Sequence, residues 1–142
     1  MLTFLALMAA TVAQPADIRP ILREQGFIWP LNGREQIDYV GHIRQGRRDY
    51  QIYFYRGVFL PHPGGIDHYV NRLVVMLNAT TYLGAYAAPM PATCRVTGQA
   101  VHCDTEFPGT IQWTERGPPC EVVFDGDVLR FMFGNWARDE TC

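Results

Sequence analysis

The stretch Cys94-Arg95-Val96-Thr97-Gly98-Gln99-Ala100-Val101-His102-Cys103 folds back on itself by its own chemistry. Glycine at the first central position of a two-residue loop marks a type II′ turn, whose twist matches that of the strands it joins. With Gly98-Gln99 as the turn, Thr97 faces Ala100, Val96 faces Val101, Arg95 faces His102 and Cys94 faces Cys103. Counting outward, the cysteines meet at a non-hydrogen-bonded pair, where Cα atoms approach to about 4.5 Å. A disulfide tolerates that separation, at the short end of its range. The spacing therefore predicts an antiparallel hairpin locked by a Cys94–Cys103 bond and leaves Cys120 to pair with Cys142. Each bond would contribute roughly 3 kcal/mol by restricting the unfolded chain.

Other hairpins follow from the same reasoning. Asp125-Gly126 reads as a type I′ turn, which sets Phe124 opposite Asp127, Val123 opposite Val128, Val122 opposite Leu129 and Glu121 opposite Arg130. Cys120, Val122, Phe124, Leu129 and Phe131 then share the core face, with Glu121 and Arg130 as a charge pair outside. Upstream, 37–44 and 49–56 read as strands joined through Gln45-Gly46-Arg47-Arg48. In the second of these, Tyr50, Ile52 and Phe54 share one face, while Gln51, Tyr53 and Tyr55 share the other. Strands over 68–77 and 81–87 flank Asn78-Ala79-Thr80, which also fits the N-glycosylation sequon. The unbroken run Leu73-Val74-Val75-Met76-Leu77 predicts a strand buried on both faces. A further strand is expected near 110–114. Only 15–26 reads as a helix, with Asp17 as N-cap, Ile18, Ile21 and Leu22 on one face, and Gly26 beyond its end. About eight or nine short strands separated by turns imply an all-β fold, an antiparallel sandwich or barrel with one short N-terminal helix.

Residues 1–13, MLTFLALMAATVA, carry no charged side chain and end in small residues, the pattern of a secretory signal segment. The run falls short of the roughly 20 apolar residues a membrane span needs. The alternative is a buried N-terminal strand or helix. Residues 14–142 then form a single disulfide-stabilised β domain, and the processed chain is not expected to span a membrane. The cysteines agree with export to a periplasm or to the medium. They are even in number, lack a C-x-x-C pair, and are separated by 8, 16 and 21 residues, unlike the two close pairs of a zinc ribbon.

Composition narrows the chemistry. The 142-residue chain contains neither lysine nor serine, and all 12 of its basic residues are arginine. Schiff-base catalysis, pyridoxal-phosphate anchoring, the phosphate-loop lysine and every serine nucleophile are therefore excluded. A formal charge of −2 removes the electrostatic footprint of a nucleic-acid binder.

Three places could carry function. His62, Asp67 and His68 lie in a loop rich in proline and glycine, and an imidazole pair with a carboxylate is a possible metal-ligand set. His42 or His102 would supply a fourth ligand. Asp104, Glu106 and Glu115 are close enough in sequence to be weighed as a pair of hydrolytic carboxyls, although no cleft is implied. Tyrosines along the strands, with Tyr53 and Tyr55 beside Arg56, suggest a contact face, since tyrosine and arginine are enriched at binding hot spots. No dinucleotide, zinc-protease or haem-attachment motif occurs, and no cofactor is expected.

The expectation is a small exported, non-catalytic binding or structural protein whose partner is another protein or an envelope polymer. A metal-dependent protein built on the His62 loop and a carbohydrate-active hydrolase are the alternatives. Native mass spectrometry without reductant on exported protein should show a chain beginning near Gln14 and lighter by the hydrogens of all four thiols. An uncleaved chain with free thiols would overturn the compartment reading, and a stoichiometric metal ion would favour the histidine loop.

Overall fold

A computed structural model describes residues 17–60, 62–88, 93–104, 109–124 and 127–134. Apart from one helix, α1 (Arg19–Glu24), the elements are strands: β1 (Gln36–Gln45), β2 (Arg48–Phe59), β3 (His68–Leu77), β4 (Thr81–Ala87), β5 (Thr93–Thr97), β6 (Ala100–Asp104), β7 (Gly109–Gln112), β8 (Glu121–Phe124), β9 (Asp127–Arg130) and β10 (Met132–Phe133). They form a five-stranded sheet in the order β1-β2-β3-β4-β10, a three-stranded sheet β5-β6-β7, and the hairpin β8-β9. Every pairing is antiparallel.

The alternation along β2 explains the layering. Tyr50, Ile52 and Phe54 point into a core shared with Ile43, Leu73, Val75 and Tyr86 of the large sheet and with Val101, Cys103, Ile111 and Trp113 of the small one. Val122 and Leu129 pack against the same core from the β8-β9 hairpin, and Phe131 belongs to it. Two sheets packed face to face make this a sandwich. On β1 the extra residue Val40 forms a bulge, and the following Gly41 leaves room for β5: a Cβ there would lie 2.8 Å from the Val96 Cγ2.

The opposite face of the large sheet is equally apolar. Tyr53, Tyr55, Val74, Met76, Tyr82 and Ala85 form a second core, closed by α1 and the chain that follows it through Ile18, Leu22, Phe27, Trp29 and Leu31. The segment 17–35 is therefore a strap across the sheet. The helix stops as its sequence predicts: Gly26 takes φ 82°, and the Phe27 N–H reaches the Leu22 carbonyl at 3.0 Å, a Schellman closure. Its start differs from expectation, because Ile18 occupies the N-cap while the Asp17 carboxylate accepts the Arg19 N–H at 3.1 Å. Pro20 in the first turn costs no intrahelical bond and shortens the helix from the front.

Polar groups fasten the strap. The Gln25 amide accepts from the Tyr82 N–H at 2.7 Å and donates to the Thr80 carbonyl at 2.9 Å. The Tyr55 hydroxyl donates to the Pro30 carbonyl, and burial pushes its pKa up to about 12. Glu35, whose side chain is 2% exposed, takes the Arg19 guanidinium at 3.0 Å and the Gly33 N–H at 2.7 Å. At the turn end of β1 and β2, glutamine amides join the two sheets: Gln45 donates to the Thr114 carbonyl and the Gln99 side chain, and Gln99 donates to the Arg44 carbonyl.

The expected hairpins form in the expected registers. Cys94 pairs with Cys103 across a disulfide with Cα atoms 4.1 Å apart, and Gly98 has φ 59°. Glu121 pairs with Arg130 and Val123 with Val128, and an Arg130–Glu121 ion pair of 3.2 Å lies on the outside. Cys120 is also disulfide-bonded. Cys142, its expected partner, lies outside the described residues, as do the Asp125-Gly126 turn and the N-terminal apolar segment.

Burial raises the Glu35 carboxyl, but hydrogen bonds from its own backbone, Arg19 and Gly33 outweigh it and hold the group below the usual carboxylate range. Its contribution is complete above the unfolded-state value near 4.5 and is lost as pH falls through the lower folded value. Glu35→Gln should cost about 1–3 kcal/mol in urea unfolding at neutral pH, and the penalty should shrink as the wild type is acidified.

Candidate functional site

Along β2 the face that supplies Tyr50, Ile52 and Phe54 continues to Arg56 and Val58, and along β3 the same face runs from Val75 and Leu73 to Asn71 and Tyr69. Beyond Phe54 and Leu73 these positions leave the shared core: Val58 and Asn71 are still buried, while Arg56 and Tyr69 reach solvent. The glutamine-joined end lies at the other end of the strands. At the Arg56 end, Arg34, Gln36, Arg56, Val58 and Tyr69 line a cleft of about 240 Å³.

Each lining residue is placed by an identifiable contact. Val58, 8% exposed, forms the floor. Antiparallel register sets Gln36 beside Arg56 and Val58 beside Tyr69. The Arg56 Cζ lies 4.4 Å from the Tyr69 ring centroid, a cation–π contact that holds the guanidinium over the ring. Arg34 is held at the rim by a two-pronged pairing with Asp67, at 3.2 and 2.8 Å, and its hydrogen bonds lower the Asp67 pKa below the ordinary carboxylate range. Gln36 gives its amide N–H to Asp38 at 3.0 Å. Arg56 has no ion pair among the described residues. Exposed Phe59, Leu60 and Ile66 continue from this end of β2 into the loop that leads to β3.

The sequence-predicted candidates fare differently. Tyr53 and Tyr55 are 5% and 0% exposed, packed beneath the strap, so they offer no stacking surface; only Arg56 of that trio reaches the cleft. The alternation was read with the right period, but the face offered as a contact surface is the seat of a covering segment. His62 is exposed in its loop, where its carbonyl takes the Gly65 N–H at 3.0 Å. The His68 ring stacks on Phe59 with centroids 5.3 Å apart, and Asp67 is engaged by Arg34. His42 bonds Asp49 at 2.9 Å and His102 bonds Thr110 at 2.9 Å. Among the described residues no three histidine, cysteine or acidic side chains are grouped to hold a metal. Asp104 ends β6 in an exposed 2.7 Å pair with Arg95, Glu115 lies in the turn after β7, and Glu106 lies outside the described residues.

Of the five cleft residues sequence reasoning singled out Arg56 and missed Arg34, Gln36, Val58 and Tyr69. Tyr69 was visible only as one strand tyrosine among several. The Arg34–Asp67 pairing spans 33 positions and has no local signal. No protein-family model matches the chain, and neither a curated protein nor a solved structure matches it.

A guanidinium stacked on one exposed ring adds little to stability. Arg56→Gln and Tyr69→Ala should each change unfolding free energy by no more than about 1 kcal/mol, as measured by urea titration. A larger loss would give the pair a structural role.

Proposed function

We propose that this protein is a small exported, non-catalytic binding module that contacts another protein or an envelope polymer through the cleft beside Arg56 and Tyr69. The observation that carries the reading is Arg56, set over the Tyr69 ring in a concave site and left without a counter-charge among the described residues. Arginine and tyrosine bring contact area and directed donors at modest ordering cost, which is why they concentrate binding energy. Among the described residues, four acidic groups are engaged in ion pairs: Glu35 with Arg19, Asp67 with Arg34, Asp104 with Arg95, Glu121 with Arg130. That distribution favours binding over acid–base chemistry.

The Cys94–Cys103 bond and the disulfide-bonded Cys120 support an oxidising compartment, the periplasm or the outside of the cell. Among the described residues no helix is long and apolar enough to cross a membrane.

The test is site-specific photo-crosslinking of the exported protein in its own host. A photoreactive phenylalanine replaces Tyr69 in one variant and Val123, 72% exposed on the outer face of β8, in another. A discrete adduct from position 69 that is absent from position 123 is expected. Equal adducts at both positions, or none at 69, would overturn the cleft as the binding site.

A further inference from the structure

We infer that the group recognised in this cleft is a carboxylate side chain on an acidic peptide segment of a partner protein, with Arg56 as its anchor. The inference rests on the reading of the cleft as the binding site and specifies its ligand.

The charges around the cleft define what it can take. Arg34 and Asp67 neutralise each other through two hydrogen bonds, and Asp38 accepts from Gln36 without pairing with Arg56. Arg56 therefore remains as a single cation whose counter-charge is not supplied by the described residues. One guanidinium matches one carboxylate in charge, in planarity and in the two-pronged spacing of donors and acceptors. A phosphate dianion would call for a second free cation, and Arg34 is already engaged.

The form of the site favours a side chain on a protein over a charged polymer. A cleft of about 240 Å³ admits a group the size of one side chain. A polyanion needs a row of cations, whereas this chain carries a net charge of −2. Tyr69 is 47% exposed and Val58 is buried, so an aromatic ring and an aliphatic wall flank the guanidinium as apolar surface does at a protein contact. The guanidinium is ordered by Tyr69 before any ligand arrives, which lowers the cost of binding.

Two capped tripeptides, acetyl-Ala-Glu-Ala-amide and acetyl-Ala-Gln-Ala-amide, differ at the recognised group alone. Each would be titrated into ¹⁵N-labelled, disulfide-intact protein, following the Arg56 Nε–H and the backbone amides of Gln36, Val58 and Tyr69. The glutamyl peptide should shift these signals and bind at least roughly tenfold more tightly than the glutaminyl one, a difference of about 1.4 kcal/mol. Added salt should reduce the preference, and Arg56→Gln should abolish it while the remaining spectrum stays folded. Asp38→Asn, which removes a nearby negative charge, should strengthen the glutamyl complex. Equal binding of both peptides at the cleft, or no binding of either, overturns the carboxylate assignment and leaves the cleft reading to the crosslinking test. Inorganic phosphate competing better than acetate overturns it in favour of a phosphoryl ligand. Glutamyl-specific shifts that map elsewhere, or that survive Arg56→Gln, overturn the cleft itself.

Discussion

A sheet whose two faces are both apolar has to be covered twice, and the rest of this molecule is arranged around that requirement. Tyr50, Ile52 and Phe54 on one side of β2 and Tyr53 and Tyr55 on the other bury comparable aromatic and aliphatic bulk. A second sheet answers one face and the strap answers the other. Leaving either uncovered would expose a contiguous apolar patch well beyond what surfaces of separate domains usually carry. The shared core ends at Phe54 and Leu73, and beyond it Arg56 and Tyr69 meet solvent beside buried Val58.

Glutamine side chains do much of the fastening between layers. Gln25 presents its amide to Tyr82 and Thr80 as a neighbouring strand would present backbone. Gln45 and Gln99 do the same between the sheets, through the Thr114 and Arg44 carbonyls. They occupy backbone groups where one layer meets the next, the Tyr82 N–H partly buried and the three carbonyls exposed, and so tie the layers together. Ionic contacts are concentrated at the surface, where solvent screening limits their contribution; Glu35 is the exception, with its carboxylate shielded beneath the strap.

Local chemistry was legible. The Gly98-Gln99 turn and the pairing of Glu121 with Arg130 followed from turn type and alternation, and both registers appear as expected. The unbroken Leu73–Leu77 run announced a central strand, and Val74 and Val75 are fully buried on opposite faces. What alternation cannot assign is the destination of a face. Tyr53 and Tyr55 alternate as solvent-facing residues would, and a strap read only as a short helix with a loop covers them. The cleft was hidden for the same reason: Arg34 reaches Asp67, and Arg56 reaches Tyr69, through register between separate strands and loops, which composition and periodicity do not encode.

The strap also sets an order of assembly. β1 through β4 pair in chain order, so each strand can add to its predecessor with short loop closures, the contact pattern that lets a β-structure form quickly. The strap precedes all of them, yet its seat combines residues of β2, β3 and β4 and is complete only when Tyr82 and Ala85 are in place. In a chain emerging from its N-terminal end, Leu22, Phe27 and Trp29 are made early and seated late. Their docking completes the large sheet's second covering layer.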